Sequence, residues 1–137
     1  MADIQLQLQL VLVTPEKTLL DEPVAALRFP LFDGQIGILP GRAPAIGRLG
    51  YGELRITTAE QGMRSYFIDG GFVQVRSDTV SILTNRAIRI SDIDREAAET
   101  QLQRALRMVA ATPADMEARA REQQRARRLL ALARHTR

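Results

Sequence analysis

Ile4, Leu6, Leu8, Leu10 and Leu12 fall on one side of an extended segment, with Gln5, Gln7 and Gln9 on the other. That period-two pattern predicts a half-buried strand over 4–13. Thr14-Pro15-Glu16-Lys17 reads as a turn. Short strands are predicted over 18–20 and 24–29, with Asp21-Glu22-Pro23 between them, and Asp33-Gly34 marks the next reversal. A strand over 36–39 leads into the break Pro40-Gly41-Arg42-Ala43-Pro44, and further strands are predicted over 54–57, 65–68, 72–75 and 80–83. Gly50 with Gly52, Gln61-Gly62, Asp69-Gly70-Gly71 and Ser77-Asp78 supply turn chemistry between them. Their spacing, about 8–12 residues, is that of an all-β sandwich or barrel. Residues 1–90 therefore predict an antiparallel β-sandwich.

From Ser91 the texture changes. No glycine follows, only one proline, and the chain becomes rich in Ala, Arg, Glu, Gln and Leu, all good helix formers. Ser91-Asp92-Ile93-Asp94 reads as a cap whose aspartates face the positive end of a helix dipole. Leu102, Leu106 and Val109 recur at helical spacing with Ala98 and Ala105 beside them. Thr112-Pro113-Ala114-Asp115 starts a second helix, Thr as cap and Pro at the first helical position, running to about 133. With two or three residues between them, the helices should return antiparallel, Leu102, Leu106 and Val109 meeting some of Met116, Ala126, Leu129 and Leu130. The fold class is α+β: a β-sandwich in 1–90, then a two-helix hairpin in 91–137.

Charge follows the same division. Residues 1–90 carry nine basic and nine acidic side chains, so the formal net charge of +3 comes from 91–137. With 137 residues, 45% hydrophobic and 26% charged, one ordinary domain or a small domain with an appendage is expected. The absence of cysteine excludes disulfides, thiolate metal sites and thiol nucleophiles. No run approaches the roughly 18 apolar residues of a spanning helix, and the N-terminus lacks the plan of a secretory signal. Membrane association is thus expected only through a partner.

Catalytic chemistry has little to work with. The single histidine, His135, is the third-last residue, where a solvated tail is expected rather than a triad or a metal site. Asp92 with Asp94 and Glu96 with Glu99 are the closest acidic pairs, better explained by helix capping and a solvated helix face than by acid–base work. No phosphate-binding or dinucleotide loop is present, and no metal or cofactor is expected. Gly34-Gln35-Ile36-Gly37 matches a bare G-x-x-G, but between strands rather than helices, and the β region lacks clustered aromatics for stacking bases, so no nucleic-acid partner is expected.

The segment Gly34-Gln35-Ile36-Gly37-Ile38-Leu39-Pro40-Gly41-Arg42-Ala43-Pro44 resembles the G-x-x-G-I-L-P-G-H-A-P segment of the epsilon subunits of bacterial F-type ATP synthases. Gly52-Glu53-Leu54-Arg55-Ile56, Gly70-Gly71-Phe72-Val73-Gln74-Val75 and Val80-Ser81-Ile82-Leu83-Thr84 resemble that family's following strands, in order, and Asp92-Ile93-Asp94 sits where its first helix begins. The resemblance covers nearly the whole chain.

It implies a non-catalytic rotor subunit, whose sandwich packs beside the gamma subunit and rests on the ring of c subunits, passing torque from proton flow to the catalytic head. Carried over by motif, Gln35 and the turn Gly41-Arg42-Ala43-Pro44 are the candidate contacts, with Arg42 in place of the family's usual histidine. The hairpin implies inhibition of ATP hydrolysis by rising into the alpha and beta subunits of the head. There, Arg121, Arg125 and Arg128 form a basic stripe at i, i+4 and i+7 that would meet an acidic segment of a beta subunit. The alternative is a solvated face with local pairs such as Glu117 with Arg121. Some relatives bind ATP through I/L-D-x-x-R-A. Here Ile93 and Asp94 match, but Ala97 replaces the arginine, and Arg95 points about 160° away around the helix. Nucleotide binding is therefore not expected, and an ATP-sensing module is the alternative function. The expected location is the cytoplasmic face of a bacterial plasma membrane.

Overall fold

The computed structural model describes residues 7–41 and 44–134. Its contacts divide into two compact units, Met1–Ala87 and Ile88–Arg137. The strands are β1 (Leu8–Val13), β2 (Thr18–Leu31), β3 (Gly34–Ile38), β4 (Ala45–Thr58), β5 (Met63–Arg76), β6 (Thr79–Leu83) and β7 (Ala87–Arg89). The predicted alternation holds in β1, where Leu8, Leu10 and Leu12 are buried; Ile4 and Leu6 lie outside the described residues.

The ladder runs β1-β6-β5-β4-β2-β3, and β1 also pairs with β2. Five strands thus close on themselves around one core, in which Leu10, Leu12, Val24, Leu54, Ile56, Ile68, Val80 and Ile82 are fully buried. One pair departs from the antiparallel expectation: β1 runs parallel to β6, Gln9 opposite Thr79 through Val13 opposite Leu83. A ring of five strands cannot alternate direction all the way round, so one parallel pair is required.

Predicted strands also fuse. The segments predicted on either side of Asp21-Glu22-Pro23 are one strand, β2, and those on either side of Asp69-Gly70-Gly71 are one strand, β5. Pro23 sits on the β1 side of β2, opposite Gln9, whose N–H is donated to the Asp78 carbonyl. The glycines act as corners inside strands rather than as turns. Leu49 lies opposite Gly71 and Tyr51 opposite Asp69, which sets Gly50 across from Gly70, so β4 and β5 bend together. At Gly71, φ is 109°, and an added Cβ would lie 1.9 Å from the Leu83 carbonyl oxygen; only glycine lets β6 approach this closely. The corner is pinned by the Asp69 N–H donating to Thr84 Oγ1 at 3.0 Å and Asn85 Nδ2 donating to the Asp69 carbonyl at 3.1 Å.

The second unit holds a single 3₁₀ turn (Ile90–Asp92), α1 (Arg95–Leu106) and α2 (Pro113–Arg134). Asp94 caps α1, its carboxylate accepting from the Glu96 and Ala97 amides at 3.0 and 3.3 Å. Thr112 caps α2 through the Asp115 amide at 3.1 Å, and the Asp115 carboxylate accepts from the Ala111 N–H. These caps and the Arg107 stop, whose N–H bonds to the last-turn carbonyls, leave residues 107–112 as the connection, longer than predicted.

The helices return antiparallel. Gln123 donates to the Ala105 carbonyl and Arg119 to that of Met108. The expected seam forms in part: Ala98, Ala105, Ala126, Leu129, Leu130 and Ala133 are buried and Leu102 is half-buried, whereas Leu106, Val109 and Met116 are exposed. Val109 lies beyond the end of α1, so its helical spacing has no helix to act on, and Met116 belongs to the first turn of α2, beside the connection.

Candidate functional site

On the outer face of the sheet, positions that alternation assigns to solvent carry large apolar side chains. β5 runs Phe72-Val73-Gln74-Val75-Arg76 with Val73 and Val75 buried, which turns Phe72 outward at 60% exposure. The ladder sets Arg48 of β4 opposite Phe72, Phe72 opposite Leu83 of β6 and Leu83 opposite Val13 of β1. One row therefore crosses four strands, about 14 Å at normal strand spacing.

Arg48 also reaches over the Phe32 ring at 4.3 Å from its centroid, a cation–π contact beside the row. Ile46, one row along, is 78% exposed. Val13, Thr14, Pro15, Arg48, Gly71, Phe72, Leu83, Thr84 and Asn85 line a shallow groove of about 710 Å³. Thr14 and Thr84 are buried polar groups at its end. Thr84 Oγ1 is occupied by the Asp69 amide and donates to the Arg86 carbonyl. A contiguous exposed apolar row with a polar end has the composition found at the centres of protein contacts.

The motif residues are placed separately from this row. Gln35 is exposed on β3, which among the described residues pairs only with β2. Gly41 and Pro44 are exposed, and Arg42 and Ala43 lie outside the described residues. Gly41 has φ of 88° and donates its N–H to Asp78 Oδ1 at 2.8 Å. On α2, Arg121 and Arg128 are exposed, whereas Arg125 is half-buried and ion-paired with Glu122, a local pair different from Glu117 with Arg121. The stripe lies about 120° around the helix from the buried stripe at Ala126, Leu129, Leu130 and Ala133. The Asp94 carboxylate, matched to the nucleotide pattern, is engaged as the α1 cap. His135 lies outside the described residues.

Among the described residues no group of His, Asp and Glu side chains could hold a metal ion, and no helix is long and apolar enough to cross a membrane. The sequence reading missed the row. Phe72 gave a signal, an apolar side chain at an outward position of a predicted strand, whereas Arg48 and Ile46 lie in a stretch that the pattern assigns to no strand.

A closed sheet with an exposed apolar row, followed in the chain by a two-helix hairpin, defines a class. Residues 7–90 match the family model described as the beta-sandwich domain of the ATP synthase delta/epsilon chain. The chain belongs to the ATP synthase epsilon-chain family, subunits of the central stalk. An ATP synthase epsilon chain of Rhodopirellula baltica is 47% identical over 108 residues, covering 79% of this chain and 84% of the relative. One of Synechococcus sp. is 35% identical over 121 residues, covering 86% and 87%. Among solved structures, a chain of the Euglena gracilis mitochondrial ATP synthase (OSCP/F1/c-ring) superposes with a TM-score of 0.82 at 26% identity, over 95% of this chain and 83% of that one. A chain of the Tetrahymena thermophila mitochondrial ATP synthase central stalk and c-ring shares the fold, with a TM-score of 0.72 at 17% identity, over 92% and 96%.

Proposed function

We propose that this chain is a non-catalytic part of the rotor of a proton-translocating ATP synthase, fixing the gamma subunit to the c-ring so that ring rotation reaches the catalytic head. The observation that carries this reading is the exposed row Arg48–Phe72–Leu83 with Phe32 beside it. Arg48, Phe72 and Leu83 sit on strands of a closed sheet rather than on loops, which holds the row rigid. The gamma subunit is the occupant assigned to it. Gln35 and the Gly41-Arg42-Ala43-Pro44 turn are assigned to the c-ring. That would hold the chain at the membrane surface through its complex alone, on the cytoplasmic face in a bacterium.

The helical hairpin is assigned a regulatory role, inhibiting ATP hydrolysis when extended into the alpha and beta subunits. The hairpin's buried seam is mostly alanine, with Leu129 and Leu130 its largest side chains, so it buries little apolar area and opening it costs little. The Asp94 carboxylate, already accepting two backbone amides, supports the reading that this chain does not use it for ATP. Mixing the full chain with gamma is expected to give a stoichiometric complex on size exclusion; two separate peaks would overturn the assignment. In the assembled enzyme, replacing Arg121, Arg125 and Arg128 by alanine is expected to raise ATP hydrolysis, and unchanged hydrolysis removes the basic stripe from the mechanism.

A further inference from the structure

Asp78 occupies a junction that neither the resemblance nor the docking row accounts for. Arg76 opposite Thr79 is the last pair of the β5–β6 ladder, so Ser77-Asp78 is a two-residue loop. Both residues are left-handed, with φ of 49° and 62°, the conformation this tightest hairpin turn requires and that aspartate tolerates. The turn spends none of the side chain on itself. The carboxylate instead crosses to the β3–β4 connection, where Oδ1 accepts the Gly41 N–H at 2.8 Å. The Asp78 carbonyl accepts the Gln9 N–H, also at 2.8 Å.

The register explains why the two loops meet. Ala45 lies opposite Val75, so the start of β4 lies beside the end of β5, and the connection arriving from β3 runs past the β5–β6 turn. Gly41 is itself left-handed at φ of 88°, which turns its N–H out of any strand ladder toward the carboxylate. A charged acceptor on that amide fixes the segment 39–41 from one end, while the β2–β3 ladder fixes it from the other at Ile38. Leu39 between them is 66% exposed, an apolar side chain presented to solvent on a short, doubly anchored segment.

We propose that Asp78 is the positioning residue for the Leu39–Gly41 segment, holding Leu39 and the Gly41 backbone in the orientation that meets the neighbouring ring. The inference rests on the assignment of this connection to the ring, and its test separates the two. Asp78→Gly keeps a residue suited to the left-handed turn and removes only the acceptor; Asp78→Asn keeps both turn preference and an acceptor oxygen. Two quantities are read on the full chain. The first is hydrogen exchange of the Gly41 amide in the free protein. The second is co-sedimentation of its gamma complex with vesicles carrying the c-ring.

In Asp78→Gly, exchange is expected to accelerate about tenfold and ring affinity to fall about tenfold, with Asp78→Asn close to the parent in both. Unchanged Gly41 exchange in Asp78→Gly overturns the tether. Faster exchange with parental ring affinity overturns the positioning role while leaving the ring assignment standing. An Asn variant as weak as the Gly variant overturns the hydrogen bond as the cause and assigns the effect to charge. A parent complex that does not sediment overturns the ring assignment itself, and the positioning role with it.

Discussion

Replacing Gly71 by alanine puts the packing of β5 against β6 to a direct test. The new Cβ would lie 1.9 Å from the Leu83 carbonyl oxygen and 2.9 Å from both the Leu83 carbonyl carbon and the Thr84 Cα. All three are backbone atoms, so no rotamer change relieves the contact. Carbon and carbonyl oxygen between strands normally approach to about 3.3 Å, so β6 must retreat by about 1.4 Å. That retreat opens the ladder where Phe72 faces Leu83 and Val73 faces Ile82. Alanine at φ of 109° adds strain of about 1–3 kcal/mol, and one or two lost ladder hydrogen bonds add about 1 kcal/mol each. The expected loss is about 2–5 kcal/mol, a large share of the roughly 5–15 kcal/mol of a typical domain.

The chain has no tryptophan and two tyrosines, Tyr51 and Tyr66, on β4 and β5. Tyrosine emission during urea unfolding therefore reports the β unit, and the midpoint shift at constant slope gives the free-energy difference. Gly37→Ala is the control, since the added Cβ would meet only the Leu27 carbonyl at 3.8 Å; it is expected within about 0.5 kcal/mol of the parent. A Gly71→Ala protein within about 1 kcal/mol of that control would refute the reasoning.

Two further substitutions separate docking and capping from folding. Leu83→Asp changes a half-exposed side chain on the docking row, so stability should hold within about 0.5 kcal/mol, while affinity for gamma falls at least about tenfold; parental affinity by calorimetry would remove the row from the interface. Asp94→Ala removes the acceptor of two helix-start amides and is expected to destabilise α1 by about 1 kcal/mol, read as lost helical circular dichroism on mild heating. In the parent, calorimetry with ATP is expected to show no micromolar binding.

Strand and helix types were legible because burial imposes them locally. The alternation of β1 and the change of texture at Ser91 each follow from one segment's own side chains. What escaped depends on partners distant in the chain. Pro23 and the Asp69-Gly70-Gly71 run have turn composition, yet they lie inside strands: the ladder tolerates a missing donor at Pro23, because the opposing Gln9 turns its N–H to Asp78, and β6 leaves no room for a Cβ at Gly71. Leu106, Val109 and Met116 left the expected helix seam for a similar reason: the Thr112 and Asp115 caps start α2 and Arg107 ends α1, and only then is it decided which apolar residues face the partner helix. The c-ring candidates Gln35, Gly41 and Pro44 came from a resemblance. The row through Phe72 and Leu83 is instead a property of register, which aligns positions on four strands.

The five-membered strand ring also dictates an order of events as the chain leaves the ribosome. β1 is made first, but its parallel partner β6 follows seventy positions later, Gln9 waiting for Thr79. Until then β1 has only β2 to pair with, and its far edge stays an open template for any extended segment nearby. The β2–β3, β4–β5 and β5–β6 pairs are local hairpins, β2 reaches past β3 to β4 with Val24 opposite Thr58, and the longest-range capture, β1 with β6, shuts the barrel. The nascent chain is thus most vulnerable to mispairing just before Leu83 emerges, and slowing translation beyond that point should do more for its yield than slowing it anywhere earlier.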